Sequence, residues 1–138
     1  MLMNREEIMT FLPHRGPMLL LDSLEMTGES TARGEYTARG DEWFFNGHFP
    51  GNPVMPGVIQ LEILAQAASV LMRKELEGKT PLYAAMNNVR FRRQVKPGDT
   101  LTLKTRLMRS KLNVYVVSGE AYVGDVLCAG GELTFMLV

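Results

Sequence analysis

The chain is 138 residues long, with 15 basic and 15 acidic side chains and 46% apolar residues. That length predicts one domain with a sizeable core, and the balanced charge gives no electrostatic case for nucleic acid. The single cysteine, Cys128, excludes an internal disulfide, suits a reducing cytoplasmic setting and reads as a small buried strand residue. The first residues (MLMNREEIMTFLP) carry acids and no long apolar run, so they predict no signal peptide. No stretch is apolar for long enough to span a membrane. Ten methionines read as core filler, and neither a repeat nor a low-complexity segment is visible.

In chain order, Asn4 is placed to cap a short helix, Arg5 to Phe11, that stops before Pro13. His14-Arg15-Gly16-Pro17 reads as a turn, with His14 a structural turn residue. Met18 to Glu25 predicts a mostly buried strand, and Ser30 to Arg39 its alternating hairpin partner. Trp43, Phe44 and Phe45 then form an aromatic cluster suited to walling a pocket. They lead into Gly47 to Gln66 (GHFPGNPVMPGVIQLEILAQ), the stretch around which the rest is organised. Two glycines and three prolines in residues 47–56 constrain the loop that carries His48. Such a loop serves equally as a tight corner or as the mount of a catalytic base.

At Pro56 the pattern turns into an almost unbroken apolar run, Val58 to Leu71, which predicts one long buried helix. No Ser, Thr, Asp or Asn precedes it, so the N–H of Gly57 and its neighbours are unclaimed donors at the positive end of a helix dipole. A ligand oxygen fits there, and glycine lets it approach. At about 100° per residue, Glu62, Gln66, Ser69 and Arg73 form one thin polar seam. This is either the helix's solvated edge or an acid lodged among apolar residues, where desolvation would raise its pKa and keep it protonated. A solvated face is normally broader than one residue, which favours the second. Beyond Gly78, a helix stop, Leu82 to Met86 and Val89 to Val95 predict two short strands. Thr100 to Arg109 predicts another, and Leu112 to Val123 with Val126 to Val138 a last hairpin across Gly124-Asp125. The sum is an α+β layout in which a curved antiparallel sheet wraps one helix.

The two histidines lie far apart and no Cys/His/Asp cluster has ligand spacing, so no metal is expected. Nucleophile-elbow and phosphate-loop motifs are absent. Arg90, Arg92 and Arg93 flank Phe91 as a basic patch that suits an acidic partner or merely a solvated face.

Three stretches, LPHRGPMLLLD (12–22), FFNGHFPGNPVMPGVIQLEILAQAA (44–68) and VRFRRQVKPGD (89–99), resemble the hot-dog-fold β-hydroxyacyl-acyl-carrier-protein dehydratases of type II fatty acid synthesis. The resemblance implies a hot-dog fold, a homodimer with shared sites, commonly a trimer of dimers, and no cofactor. By position it makes His48 the catalytic base and Glu62, serving the opposite subunit, the catalytic acid. Gly57 takes the place of the glycine whose N–H binds the thioester carbonyl, and Val54 that of the carbonyl orienting the histidine. Gln66 stands one turn on from Glu62, placed to hold its carboxyl. Phe45, Phe49, Met55 and Ile59 suit an acyl tunnel. Arg90, Arg92 and Arg93 resemble the surface that receives an acyl carrier protein bearing a phosphopantetheine-linked chain. The family commonly has proline where Trp43 and Gln94 stand, and the residues after Tyr83 (AAMNN) depart from its pattern, leaving chain length open. A dehydratase/isomerase, a hot-dog acyl-thioesterase and a non-catalytic acyl-binding subunit are the competing expectations.

Overall fold

The computed structural model describes residues 1–138. Six strands form one antiparallel sheet: β1 (Ser23–Met26), β2 (Thr31–Thr37), β3 (Pro81–Phe91), β4 (Thr100–Lys111), β5 (Val114–Val123) and β6 (Val126–Leu137). Their order across the sheet is β1-β2-β4-β5-β6-β3, so β3, fifth from β1 in space, closes the far edge. One helix, α2 (Gly57–Ala68), packs on β2, β4, β5 and β6. This is the hot-dog arrangement that the resemblance implies.

The strands alternate as a one-sided sheet should. Ala32, Gly34 and Tyr36 on β2, Leu101 and Leu103 on β4, and Val117, Gly119 and Ala121 on β5 all face inward and are buried. Two of those positions are glycine for reasons of space. A Cβ on Gly34 would come within 3.3 Å of Ala67, and one on Gly119 within 3.2 Å of Leu64, so the helix lies closer to the sheet than side chains would allow. A 12-residue helix is marginal in water by itself. Its stability comes from burial: Ile63, Leu64, Ala67 and Ala68 are essentially inaccessible within a cluster of 33 core residues. Each buried branched side chain contributes about 1.5–3 kcal/mol.

Several expected elements differ. The helix is not one long rod: α2 ends at Ala68, a 3₁₀ turn covers Ser69–Met72, and a second short helix, Arg73–Leu76, follows. Ser69 Oγ donates to the Gln66 carbonyl at 2.6 Å, a back-bond within the tightened turn, and Met72 leaves the helical region. Gly78, at φ 73°, stops the second helix as expected. The expected strand from Met18 starts only at Ser23, because the backbone at Met18–Leu21 bonds to side chains instead of to a neighbouring strand. The two expected strands at 82–95 are one, β3, carrying irregularities near Ala84 and Asn88. Asn4 caps its helix through a full capping box with Glu7, but that helix is a single turn, Arg5–Ile8.

β3 is unlike its neighbours. Nearly every residue on it is solvent-exposed, including Leu82, Tyr83, Met86 and Phe91, and its outer edge pairs with nothing in the chain.

Candidate active site

The His48 loop is stapled to itself. Val54 N–H donates to the His48 carbonyl at 2.7 Å, and His48 Nδ1 lies 2.9 Å from the Val54 carbonyl. Phe49 and Asn52 exchange a second pair of backbone bonds, and Met55 N–H anchors the loop's end to Val95. A carbonyl oxygen can only accept, so Nδ1 carries the hydrogen and Nε2 presents its lone pair. The Phe49 ring stacks on the imidazole at 4.1 Å between centroids. His48 and Val54 thus meet in one geometry.

Pro56 gives α2 no side-chain cap, and the N–H groups of Gly57 and Val58 have no acceptor in the chain. These donors sit at the helix's positive end, beside the His48 loop. A Cβ at position 57 would lie 2.8 Å from the Phe91 ring, so the residue must be glycine while that ring covers the helix start.

Further along α2 the polar seam is buried, not solvated: Gln66 is 1% exposed and Ser69 4%. Gln66 is held on three sides. Its Oε1 accepts from Leu20 N–H at 2.8 Å, and its Nε2 donates to the Met18 carbonyl at 2.7 Å and to Glu62 Oε2 at 2.9 Å. Arg73 leaves the seam after the 3₁₀ turn and stacks on Phe11 at 4.9 Å. Another buried amide, Gln60, lies off the seam altogether.

His14 departs from its expected place as a simple turn residue. The loop before β1 brings its Nε2 to 3.2 Å from Glu62 Oε2. Tyr83, on β3, donates its hydroxyl to the Leu61 carbonyl at 3.1 Å. Tyr83 is exposed along its ring but covered at its hydroxyl end, and that burial first, then the negative charge of Glu62 and a hydrogen bond with it, push the phenol well above its usual range. His14, Glu62, Gln66, Ser69 and Tyr83 face a small cavity of about 160 Å³ completed by apolar residues including Leu12, Met72, Leu76 and Phe135. Periodicity carried no sign of His14 or Tyr83. Their only trace was position inside or beside the three stretches that carry the resemblance.

Not every expected residue joins this cavity. Phe45, Met55 and Ile59 lie in the subunit core, and Phe49 is exposed against His48. No hydrogen bond or ion pair links His48 to Glu62 within the chain; each has partners of its own. Arg90, Arg92 and Arg93 are exposed, and Arg90 and Arg92 share the sheet's outer face with Arg33, Lys104 and Arg106.

Comparison with known proteins agrees with the geometry. Residues 12–131 match the FabA-like domain. The 3-hydroxyacyl-[acyl-carrier-protein] dehydratase FabZ of Moorella thermoacetica is 47% identical over 136 residues, covering 96% of this chain and 95% of that protein. The FabZ of Fusobacterium nucleatum is 42% identical over 133 residues, covering 95% and 94%. Among solved structures, the dehydratase heterocomplex ApeI:P from Xenorhabdus doucetiae superimposes with a TM-score of 0.80 at 22% identity, covering 95% of this chain and 90% of its own. The fluoroacetyl-CoA-specific thioesterase FlK gives 0.66 at 16% identity, covering 78% and 91%. At such identities these two speak for the fold alone. On the family match and the two sequence relatives, the chain belongs to the FabA-like family, in the company of its FabZ 3-hydroxyacyl-[acyl-carrier-protein] dehydratases.

Proposed function

We propose that this protein is a hydro-lyase that dehydrates (3R)-3-hydroxyacyl thioesters on acyl carrier protein to trans-2-enoyl thioesters, in the synthesis of fatty acids or related acyl chains. The observation that carries the reading is the His48–Val54 staple, which leaves Nε2 as a base next to the unclaimed N–H groups of Gly57 and Val58. Nε2 takes the C2 proton, and the Gly57 N–H with the helix dipole stabilises the enolate-like thioester oxygen. Glu62 gives a proton to the departing hydroxyl, which leaves as water, a far better leaving group than hydroxide.

His48 and Glu62 do not meet within one chain, so the reading pairs His48 of one subunit with Glu62 of the other. The bare edge and exposed apolar side chains of β3 support a homodimer built by joining two sheets there. A trimer of such dimers is the assembly we expect, in the cytoplasm. Phe45, Phe49, Met55 and Ile59 would line the acyl path on the His48 side. Arg90, Arg92 and Arg93 would receive the acidic carrier.

The test is a spectroscopic assay with 3-hydroxyacyl-carrier protein in both directions, with products identified by mass. Reversible loss and gain of one water is expected, and His48→Ala and Glu62→Gln should each lower kcat by about 10²–10⁴-fold with the dimer intact. Free acid as the product would make the protein a thioesterase, and a cis-3-enoyl product would add isomerase activity. Near-normal turnover in either variant would overturn the assignment of that residue.

A further inference from the structure

His14 takes no part in the mechanism above, yet it stands directly beside Glu62. Its Nε2 stands 3.2 Å from Oε2, while its Nδ1 is buried without a hydrogen-bond partner. Oε2 also accepts the Gln66 amide, whose direction is fixed because Gln66 Oε1 is occupied by Leu20 N–H. The Tyr83 hydroxyl, also within hydrogen-bond reach of Glu62, gives its one hydrogen to the Leu61 carbonyl at 3.1 Å.

The orphaned Nδ1 selects the state of the ring. An imidazolium there would bury an N–H with no acceptor, and so would the neutral tautomer with hydrogen on Nδ1. The form that leaves no donor stranded is neutral, with Nε2–H donating to Glu62. Oε2 then accepts two hydrogen bonds and is fixed as the carbonyl oxygen of the carboxyl group. The acidic proton is left to Oε1, the oxygen without a donor.

We propose that neutral His14 is a positioning residue that, with Gln66, turns the Glu62 O–H towards the leaving hydroxyl. The proposal rests on the dehydratase reading. Few charges surround the pair. Besides His14, Glu62 and the neutral Tyr83 phenol, the cavity lining holds no titratable side chain. Arg15 is turned away onto the carbonyls of Met9, Leu12 and His14. The partner's His48 is the remaining titratable group expected at the assembled site.

His14→Gln keeps an N–H donor at the same carboxyl group and should retain kcat within about threefold. His14→Ala removes the donor and should lower kcat by about 10²-fold with KM little changed. A His14→Gln kcat as low as that of His14→Ala, or a His14→Ala kcat near wild type, would overturn the proposal. A wild-type protein that dehydrates nothing would sink the dehydratase reading instead.

Discussion

Gly57 shows how one missing atom serves two ends. Its N–H is free because Pro56 cannot cap it, and its α-carbon is bare because the Phe91 ring lies where a Cβ would go, at 2.8 Å. Gly57→Ala should therefore destabilise the protein by about 1–3 kcal/mol through overpacking and lower kcat as the ring is pushed across the helix start. Adding Phe91→Leu should recover much of the stability, read from thermal unfolding of the single and double variants. Gly57, His48 and Glu62 stood out in sequence because each breaks a local rule: an uncapped helix, a stiffened loop, an acid on an apolar helix; pattern alone still left His48 and Glu62 open between a chemical and a plain structural reading. His14 broke none. Its place beside Glu62 exists only through a contact across 48 positions of sequence, and no local pattern encodes that.

At the scale of elements, the aromatic turn before the His48 loop is fastened by Glu42. This buried carboxylate accepts hydrogen bonds from the Tyr36 hydroxyl on β2 and from the backbone N–H groups of Arg39 and Gly40. Burial alone would raise its pKa, but these donors together outweigh it and hold the group below its usual value. A depressed folded pKa gives stability that is present above the unfolded value and lost as pH falls through the folded one. Glu42→Gln should accordingly lower stability at neutral pH and flatten the acid limb of a stability-against-pH curve measured by urea unfolding. Tyr36→Phe, which removes a hydrogen bond to a charged group, should cost about 1.5–3 kcal/mol above pH 5. Element type was mostly readable from period and turn residues, whereas boundaries were not. The three leucines Leu19–Leu21 look like a buried strand, and they are buried, but Gln66 and Arg5 take the backbone groups that a sheet would have used. The 3₁₀ break after Ala68 was likewise invisible in an apolar run that continues through it.

For the whole molecule, the proposed split of His48 and Glu62 between subunits makes a numerical prediction. Neither His48→Ala nor Glu62→Gln protein should turn over alone. Unfolded together and refolded as a mixture, half of the dimers are mixed and each has one intact site of two, so about a quarter of wild-type activity should return. No recovery, with mixed dimers shown by mass spectrometry, would place both residues in a site made by one chain. The architecture was legible because one central helix and the closing hairpin each left a mark in sequence, whereas the strand count and the order across the sheet did not. The unpaired state of β3 was not, since an edge strand that awaits a partner reads like any other. That edge also bears on the life of a newly made chain. Unpaired, it offers a row of N–H and C=O groups with leucine, tyrosine and phenylalanine beside them, open to any extended segment nearby. The strand is irregular near Ala84 and Asn88. In the proposed dimer a two-fold mate would carry the same interruptions reversed, which a random strand would not, so the defects would favour a second copy over the wrong partner.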